Sequence, residues 1–130
     1  MQPLTKINSY RDLLVWRKGI DLVKLVSQET RVQRFPPEEK FGLVSQMRRA
    51  AVSVPSNVAE GQARGGTKEF IQFLYIGKGS LAELDTQLTI SNELGFLTSQ
   101  AYEALFQKID ELQRMMYSLI HRLEENSNKA

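Results

Sequence analysis

Apolar side chains recur at every third or fourth position through the last third of the chain, and this spacing limits what the sequence can fold into. The run comprises Tyr102, Leu105, Ile109, Leu112, Met116, Leu119 and Leu123. Residues with that spacing lie on one face of an α-helix, so the segment predicts an amphipathic helix capped by Thr98 or Ser99. No stretch of useful length alternates apolar and polar residues as a β-strand would.

Three earlier segments show the same spacing. Their apolar positions are Leu13, Trp16, Ile20 and Val23; then Val44, Met47, Ala51, Val54 and Val58; and then Phe70, Leu74, Gly77, Leu81, Leu84 and Leu88. The predicted helices span about residues 9–32, 38–62, 67–93 and 99–125. Four such helices joined by short turns describe an all-α, antiparallel up-down four-helix bundle, with residues 1–130 as a single domain.

Residue types at the helix ends refine these boundaries. Ser9 and Thr67 are suitable N-caps for the first and third helices. The second helix is expected to begin within residues 36–41, where two prolines and two glutamates suit a first turn. Gly95 is the expected C-terminal stop of the third helix.

Proline and glycine inside the helices carry a cost that calls for an explanation. Pro55 predicts a kink in the second helix, with Ser53 or Ser56 bonding to the freed backbone groups. Gly77 and Gly79 each cost about 1 kcal/mol relative to alanine within a helix. We therefore expect a neighbouring helix backbone to approach closely at both glycines.

The net charge of +2 conceals two unlike halves. Residues 1–69 hold 12 Lys/Arg against 7 Asp/Glu, whereas residues 70–130 hold 5 against 8. A basic half favours an acidic partner such as RNA, or association with the acidic half of another copy. An unevenly charged solvated surface is the alternative.

The remaining composition argues against catalysis, cofactors and membranes. The chain has one histidine, His121, and no cysteine, so a di-iron site or a Ser/His or Cys/His nucleophile lacks its residues. The absence of cysteine fits a reducing cytoplasm, and no apolar run is long enough to suggest export or a membrane span. We expect a cytoplasmic protein that is not an enzyme and holds no metal or cofactor.

The glycine-rich turn after the second helix resembles a phosphate loop only in part. Gly61 and Gly66 have the required separation, but Thr67 precedes Lys68, whereas the nucleotide motif needs lysine first and a strand before it. A helix N-terminus flanked by Arg64 and Lys68 can still bind an anion, including an RNA phosphate. A basic linker without a ligand is the alternative.

A polar row follows one face of the second helix. Arg49, Ser53, Asn57 and Glu60 are spaced by four, four and three residues, which predicts a network with Glu83 of the third helix. The row is either a binding site or a device that sets helix register or subunit contacts. Arg48 is rotated from Arg49 by about 100°, so the two arginines should have different partners.

Residues 46–61 and 69–88 resemble the four-helix-bundle proteins encoded in intervening sequences of bacterial 23S ribosomal RNA genes. The resemblance covers about residues 7–124, with Pro55 and Gly77 as departures from the usual pattern. The matching positions are Gln46, Arg48, Arg49, Ala50, Ser53, Asn57, Ala59, Glu60, Gly61, Gly79, Ser80, Glu83 and Leu84. Among them, Ser53, Asn57, Glu60, Ser80 and Glu83 form the predicted structural signature network.

The resemblance implies a ring-shaped homopentamer of four-helix protomers. A family similar in fold, the accessory variability determinants of diversity-generating retroelements, works with a reverse transcriptase and RNA through a basic surface. The leading hypothesis is therefore a homo-oligomer that binds RNA or an RNA–protein complex. Its predicted nucleic-acid contacts are Arg48, Arg49, Arg64 and Lys68, with Arg11, Arg17 and Lys18 as lesser candidates.

The alternative hypothesis is a protein-interaction scaffold that binds no nucleic acid and whose polar signature residues serve assembly. Under the leading hypothesis, repeated basic patches would make RNA affinity fall steeply with salt. No aromatic-rich segment for stacking bases stands out in the sequence, so base-specific recognition is not expected.

Overall fold

The computed structural model describes residues 9–129, apart from the side chain of Lys129, and this range forms four α-helices and no β-strand. The helices are α1 (Leu14–Val32), α2 (Leu43–Ala63), α3 (Thr67–Glu93) and α4 (Ser99–Lys129). Two short 3₁₀ turns, Tyr10–Asp12 and Pro37–Lys40, precede α1 and α2. The prediction of an all-helical fold with four helices is confirmed for these residues.

The predicted starts of the first two helices are too early. Ser9 caps the 3₁₀ turn: its Oγ accepts from the backbone N–H of Arg11 at 3.2 Å, and its own N–H donates to Asp12. The α-helix begins only at Leu14, after an extended residue. At α2, the Glu39 carboxylate accepts from the N–H of Leu43 at 3.0 Å, so the glutamate precedes the helix that it caps.

The ends of α3 and the start of α4 follow local backbone chemistry. Gly66, and not Thr67, is the N-cap of α3. At the other end Gly95 has φ of +80°, and the N–H of Phe96 reaches the carbonyl of Ser91 at 3.0 Å. This αL ending confirms Gly95 as the stop. Thr98 Oγ1 accepts from the N–H of Ala101, which confirms Thr98 as a cap, and α4 continues to Lys129, beyond the predicted end.

The hydrophobic core draws on all four helices. The apolar residues whose spacing predicted α2 and α3 are all buried. Those of α4 are also buried, except for the half-buried Tyr102. Of the apolar face predicted for the first helix, Leu13 is buried, whereas Trp16, Ile20 and Val23 are only half-buried, so that part of the prediction is wrong. The buried residues of that helix are instead Val15, Gly19, Leu22, Val26 and Thr30.

The contact between Gly19 and Pro55 explains which face of α1 packs against α2. A Cβ added to Gly19 would lie 3.1 Å from the Cβ of Pro55, so the bare backbone of α1 packs on the proline ring. The helix α2 continues through Pro55 to Ala63. Beside the proline, the side chain of Asn57 donates to the backbone carbonyl of Ser53 at 2.7 Å. The prediction had given this role to the side chain of Ser53 or Ser56.

The two helical glycines of α3 differ. A Cβ on Gly77 would lie 3.7 Å from the carbonyl oxygen of Val54, which confirms that the backbone of α2 approaches this glycine. It would also lie 2.7 Å from Met116 Cε, a side-chain atom of α4. A Cβ on Gly79 would meet nothing within 4 Å, so the prediction of a close neighbour there is wrong for the described residues.

Contacts between neighbouring helices join early residues of one to late residues of the next. Along α2 and α3 the partners are Met47 with Ser91, Ser53 with Ser80, and Gly61 with Phe73. Tyr75 of α3 meets Glu124 of α4 in the same manner. Across residues 9–129, no helix is both long enough and apolar enough to span a bilayer.

Candidate nucleic-acid interface

The four predicted nucleic-acid residues occupy two separate regions. Arg48 and Arg49 lie in the first half of α2, whereas Arg64 directly follows that helix and Lys68 is the second residue of α3. Arg49 and Arg64 are 15 residues apart, which corresponds to about 22 Å along a helix axis. The structure therefore does not gather these cations into one patch.

Arg48 connects α2 to α1. Its Nε donates to Thr30 Oγ1 at 2.9 Å, and one terminal nitrogen reaches the carbonyl of Ser27 at 3.4 Å. Thr30 is buried and donates its own hydroxyl hydrogen to the carbonyl of Val26 at 2.7 Å. Arg49 makes none of these contacts and is exposed, as its different helical direction predicts.

Arg64 is surrounded by partners. It pairs with Glu60 at 3.0 Å, lies 4.0 Å from Glu69, and its guanidinium sits 5.1 Å from the ring centroid of Phe73. Lys68 is exposed and has no ion pair within residues 9–129. Arg48 also lacks a carboxylate partner, but its guanidinium donates to α1. Arg49 and Lys68 are thus the two predicted contacts that neither a carboxylate nor a hydrogen bond of the described residues engages.

The lesser candidates are also engaged within the protomer. Arg17 pairs with Asp21 at 3.2 Å, one turn along α1. Lys18 reaches Glu111 of α4 at 3.5 Å. Arg11 lies over the single indole ring of the chain, 5.5 Å from its centroid.

Three of the five residues of the predicted signature network are hydrogen-bonded across α2 and α3. The hydroxyls of Ser53 and Ser80 are 2.8 Å apart, and Asn57 Nδ2 donates to Ser53 Oγ at 2.9 Å. Glu60 lies outside this cluster because Arg64, one turn further along α2, pairs with it. Glu83 is exposed and also lies outside the cluster. The bonded part ties α2 to α3.

An open groove of about 330 Å³ lies beside that cluster. It is lined by Gln46, Arg49, Ala50, Ser53 and Glu83. Arg49 and Glu83 carry opposite charges and share the groove, yet no ion pair joins either one to the part of the chain described.

A second group of polar and aromatic side chains, which the sequence analysis did not single out, lies where α3 meets α4. Tyr75 donates its hydroxyl hydrogen to Glu124 at 3.1 Å, and Lys78 Nζ lies 5.4 Å from the ring centroid of Tyr117. The rings of Tyr117 and His121 are parallel within 3°, with centroids 6.0 Å apart. We call these five residues the ring cluster. The four-residue spacing of Tyr117 and His121 was visible in the sequence, but Tyr75 lies 49 residues from Glu124.

The hydrogen bond to Glu124 raises the pKa of the Tyr75 hydroxyl, with further contributions from desolvation and from the charges of Glu124 and Tyr117. The folded protein therefore favours the neutral phenol. Its contribution to stability is present below the unfolded value of about 10 and is lost as the pH rises through the higher folded value.

We expect the Tyr75 hydroxyl to ionise at a pH above the ordinary range of tyrosine. Its tyrosinate absorbance is the part of the signal that Tyr75→Phe removes. The measurement is an ultraviolet titration of the parent protein and of Tyr75→Phe. In a Glu124→Gln background the same difference should move to lower pH, because the carboxylate charge is gone. A difference that titrates at the ordinary pKa in the parent background contradicts the proposed bond.

The sequence and the fold were then compared with known proteins. A family model described as 23S rRNA-intervening sequence protein matches residues 11–118. A crystal structure of a protein with unknown function from the S23 ribosomal protein family of Bacteroides thetaiotaomicron is similar with a TM-score of 0.75. The two chains are 19% identical over 82% of this chain and 98% of the other, so this likeness concerns the fold alone. No match was found among curated proteins.

Proposed function

Because the chain belongs to the 23S rRNA-intervening sequence protein family, we propose that it is a non-enzymatic homo-oligomer that binds RNA or an RNA–protein complex. The observation that carries this proposal is the state of Arg49 and Lys68. Both are exposed, and neither has a carboxylate partner within residues 9–129. Cations in that state bind phosphate without first giving up an internal ion pair.

The position of Lys68 adds to this argument. It is the second residue of α3, and its neighbour before the turn is Arg64. The first N–H groups of a helix are free to bind an anion, and the helix dipole favours negative charge there. This end of α3 is suited to an RNA phosphate, with Lys68 as the charged contact.

The proposed assembly is a cytoplasmic, ring-shaped homopentamer of antiparallel up-down bundles. The opposite order of contacts along α2 and α3 supports the antiparallel arrangement within a protomer. The basic first half and acidic second half of the sequence support self-association. A ring repeats Arg49 and Lys68 in every protomer, so each weak phosphate contact is multiplied.

Exchanging both cations in the variant Arg49→Gln/Lys68→Gln is expected to weaken binding to a structured RNA about tenfold at low salt, because two phosphate contacts are lost from each protomer. The slope of log affinity against log salt should become shallower. Both quantities follow from fluorescence anisotropy at several salt concentrations. Lys40→Gln, which removes another exposed lysine, is the matched control. Parent affinity that does not change with salt contradicts RNA binding through phosphates.

A protein-interaction scaffold without RNA is the second candidate, and the groove between α2 and α3 favours it. A partner that supplies a carboxylate to Arg49 and a cation to Glu83 would complete two ion pairs there. If that partner is a second copy whose Glu83 and Arg49 supply these charges, reversal of either residue would dissociate the assembly, and Arg49→Glu/Glu83→Arg, which exchanges both sides, would restore it. Such a pattern, with RNA binding unchanged per folded protomer, would identify the groove as an assembly surface. Loss of RNA binding by an intact oligomer would identify Arg49 as a nucleic-acid contact.

A further inference from the structure

We propose that the ring cluster binds an unpaired base of single-stranded RNA, guanine in preference to uracil. This inference rests on the proposed RNA-binding function and assigns to it a base-recognition site on the α3–α4 face. The site is separate from the groove that Arg49 lines.

The rings are available to a ligand. Tyr75 is 48% exposed, Tyr117 is 59% exposed, and the side chain of His121 is 58% exposed. They border a depression of about 150 Å³ that Lys78 and Glu124 also line. A wider depression of about 410 Å³ adjoins it and shares His121 and Glu124.

The other stacked ring pair of α4 is less exposed than this one. Tyr102 and Phe106 have the same four-residue spacing and stack with centroids 6.0 Å apart. Both are half-buried and pack against the hydrophobic core. Tyr117 and His121 are exposed, so their rings can accept a further planar group.

Aromatic rings are the side chains on which splayed bases of single-stranded RNA stack, and nearby cations bind the phosphates. Lys78 lies against the Tyr117 ring and has no ion pair among the described residues. Lys68 precedes Tyr75 by seven residues on α3, which places it about 10 Å away along the axis and within about 20° of the same direction. A strand that follows this side of α3 would pass from Lys68 to the rings and then to Lys78.

The carboxylate of Glu124 supplies the base preference. One of its oxygens, Oε2, accepts from Tyr75, which leaves the other oxygen for a ligand. Glu125 is engaged by His121, with Nε2 and Oε1 3.3 Å apart. A carboxylate accepts hydrogen bonds and cannot donate them, so it favours a base edge rich in N–H groups. Guanine presents its ring N1–H and its exocyclic amino group side by side, whereas uracil has a single ring N–H on that edge.

The test uses the 130-residue chain and short oligouridine strands that carry guanine, inosine or uracil at the centre. We expect Tyr117→Ala to weaken binding of the guanine strand about tenfold, the scale of one lost stacking contact. Glu124→Gln should reduce the preference for guanine over inosine, which lacks the amino group. Phe41→Ala is the matched control, because Phe41 is exposed and has Lys40 5.6 Å from its ring centroid.

The outcomes separate this inference from the proposed function. If the parent protein binds these strands and both Tyr117→Ala and His121→Ala bind equally well, the base site is overturned and RNA binding stands. If Tyr117→Ala breaks the oligomer while each folded protomer binds RNA as before, the ring cluster is an assembly surface and the inference is again overturned. If the parent binds neither these strands nor structured RNA, the proposed function fails and the base site fails with it.

Discussion

Replacing Gly61 by valine is expected to lower the free energy of unfolding by about 3 kcal/mol, at the upper end of overpacking effects. A Cβ at this position would lie 2.6 Å from the Cβ of Phe73 and 3.3 Å from the carbonyl oxygen of Phe70. Neither atom lies at the end of a flexible side chain, so the backbones of α2 and α3 must separate to admit the new methyl groups. The same displacement would move Lys68, which lies in the first turn of α3.

Gly79→Ala is the matched control, and the expected sign is opposite. No described atom lies within 4 Å of the added Cβ, and alanine is the better helix former by about 1 kcal/mol. Urea unfolding monitored by circular dichroism measures both variants at one protein concentration. A Gly61→Val protein as stable as the parent would mean that the two helices are not in contact there. A loss of stability in Gly79→Ala would instead show that this glycine meets a neighbour outside the protomer.

Leu81→Ala is expected to cost about 3 kcal/mol, because it removes a fully enclosed side chain and leaves a cavity that the core closes only in part. Leu81 is 0% exposed and lies near the middle of α3. It contacts no predicted ligand, so any reduction in RNA binding should follow the fraction of folded protein.

Ile76→Ala on the same helix is the control for Leu81→Ala. Ile76 is 52% exposed, and a surface truncation of this kind is expected to change stability by no more than about 0.5 kcal/mol. Thermal unfolding at several protein concentrations distinguishes core packing from assembly, since a contribution from assembly shrinks on dilution. Equal effects of the two substitutions would contradict the assignment of Leu81 to the core.

Much of the fold could be predicted from local patterns. The apolar spacing of α2, α3 and α4 identified their buried faces, and Gly95 and Thr98 marked a helix end and a helix start. These signals are readable because helix periodicity and capping depend on residues only a few positions apart. The start of α2 was misplaced for a related reason. Glu39 suits both a first turn and a cap before it, and the sequence does not say which one it takes.

The buried face of α1 could not be predicted in the same way, because apolar residues occupy more than one side of that helix. The decision depends on Gly19 meeting Pro55, a contact between residues 36 positions apart. A glycine lets two helix backbones approach closely. The packing gained at this contact outweighs burial of the apolar face that includes Trp16.

The candidate site likewise has features that depend on local sequence and features that depend on contacts between distant residues. The sequence by itself determined the family, the four helices and the spacing that brings Ser53 and Asn57 together, since each depends on residue order within one segment. Only the tertiary structure decided which cations keep their charge available and which rings meet across α3 and α4. Arg48 gives its donors to α1, and Tyr75 finds its carboxylate 49 residues away. The physical reason is that hydrogen bonds and ring contacts act over a few ångströms, and packing of the helices sets which distant residues come within that range.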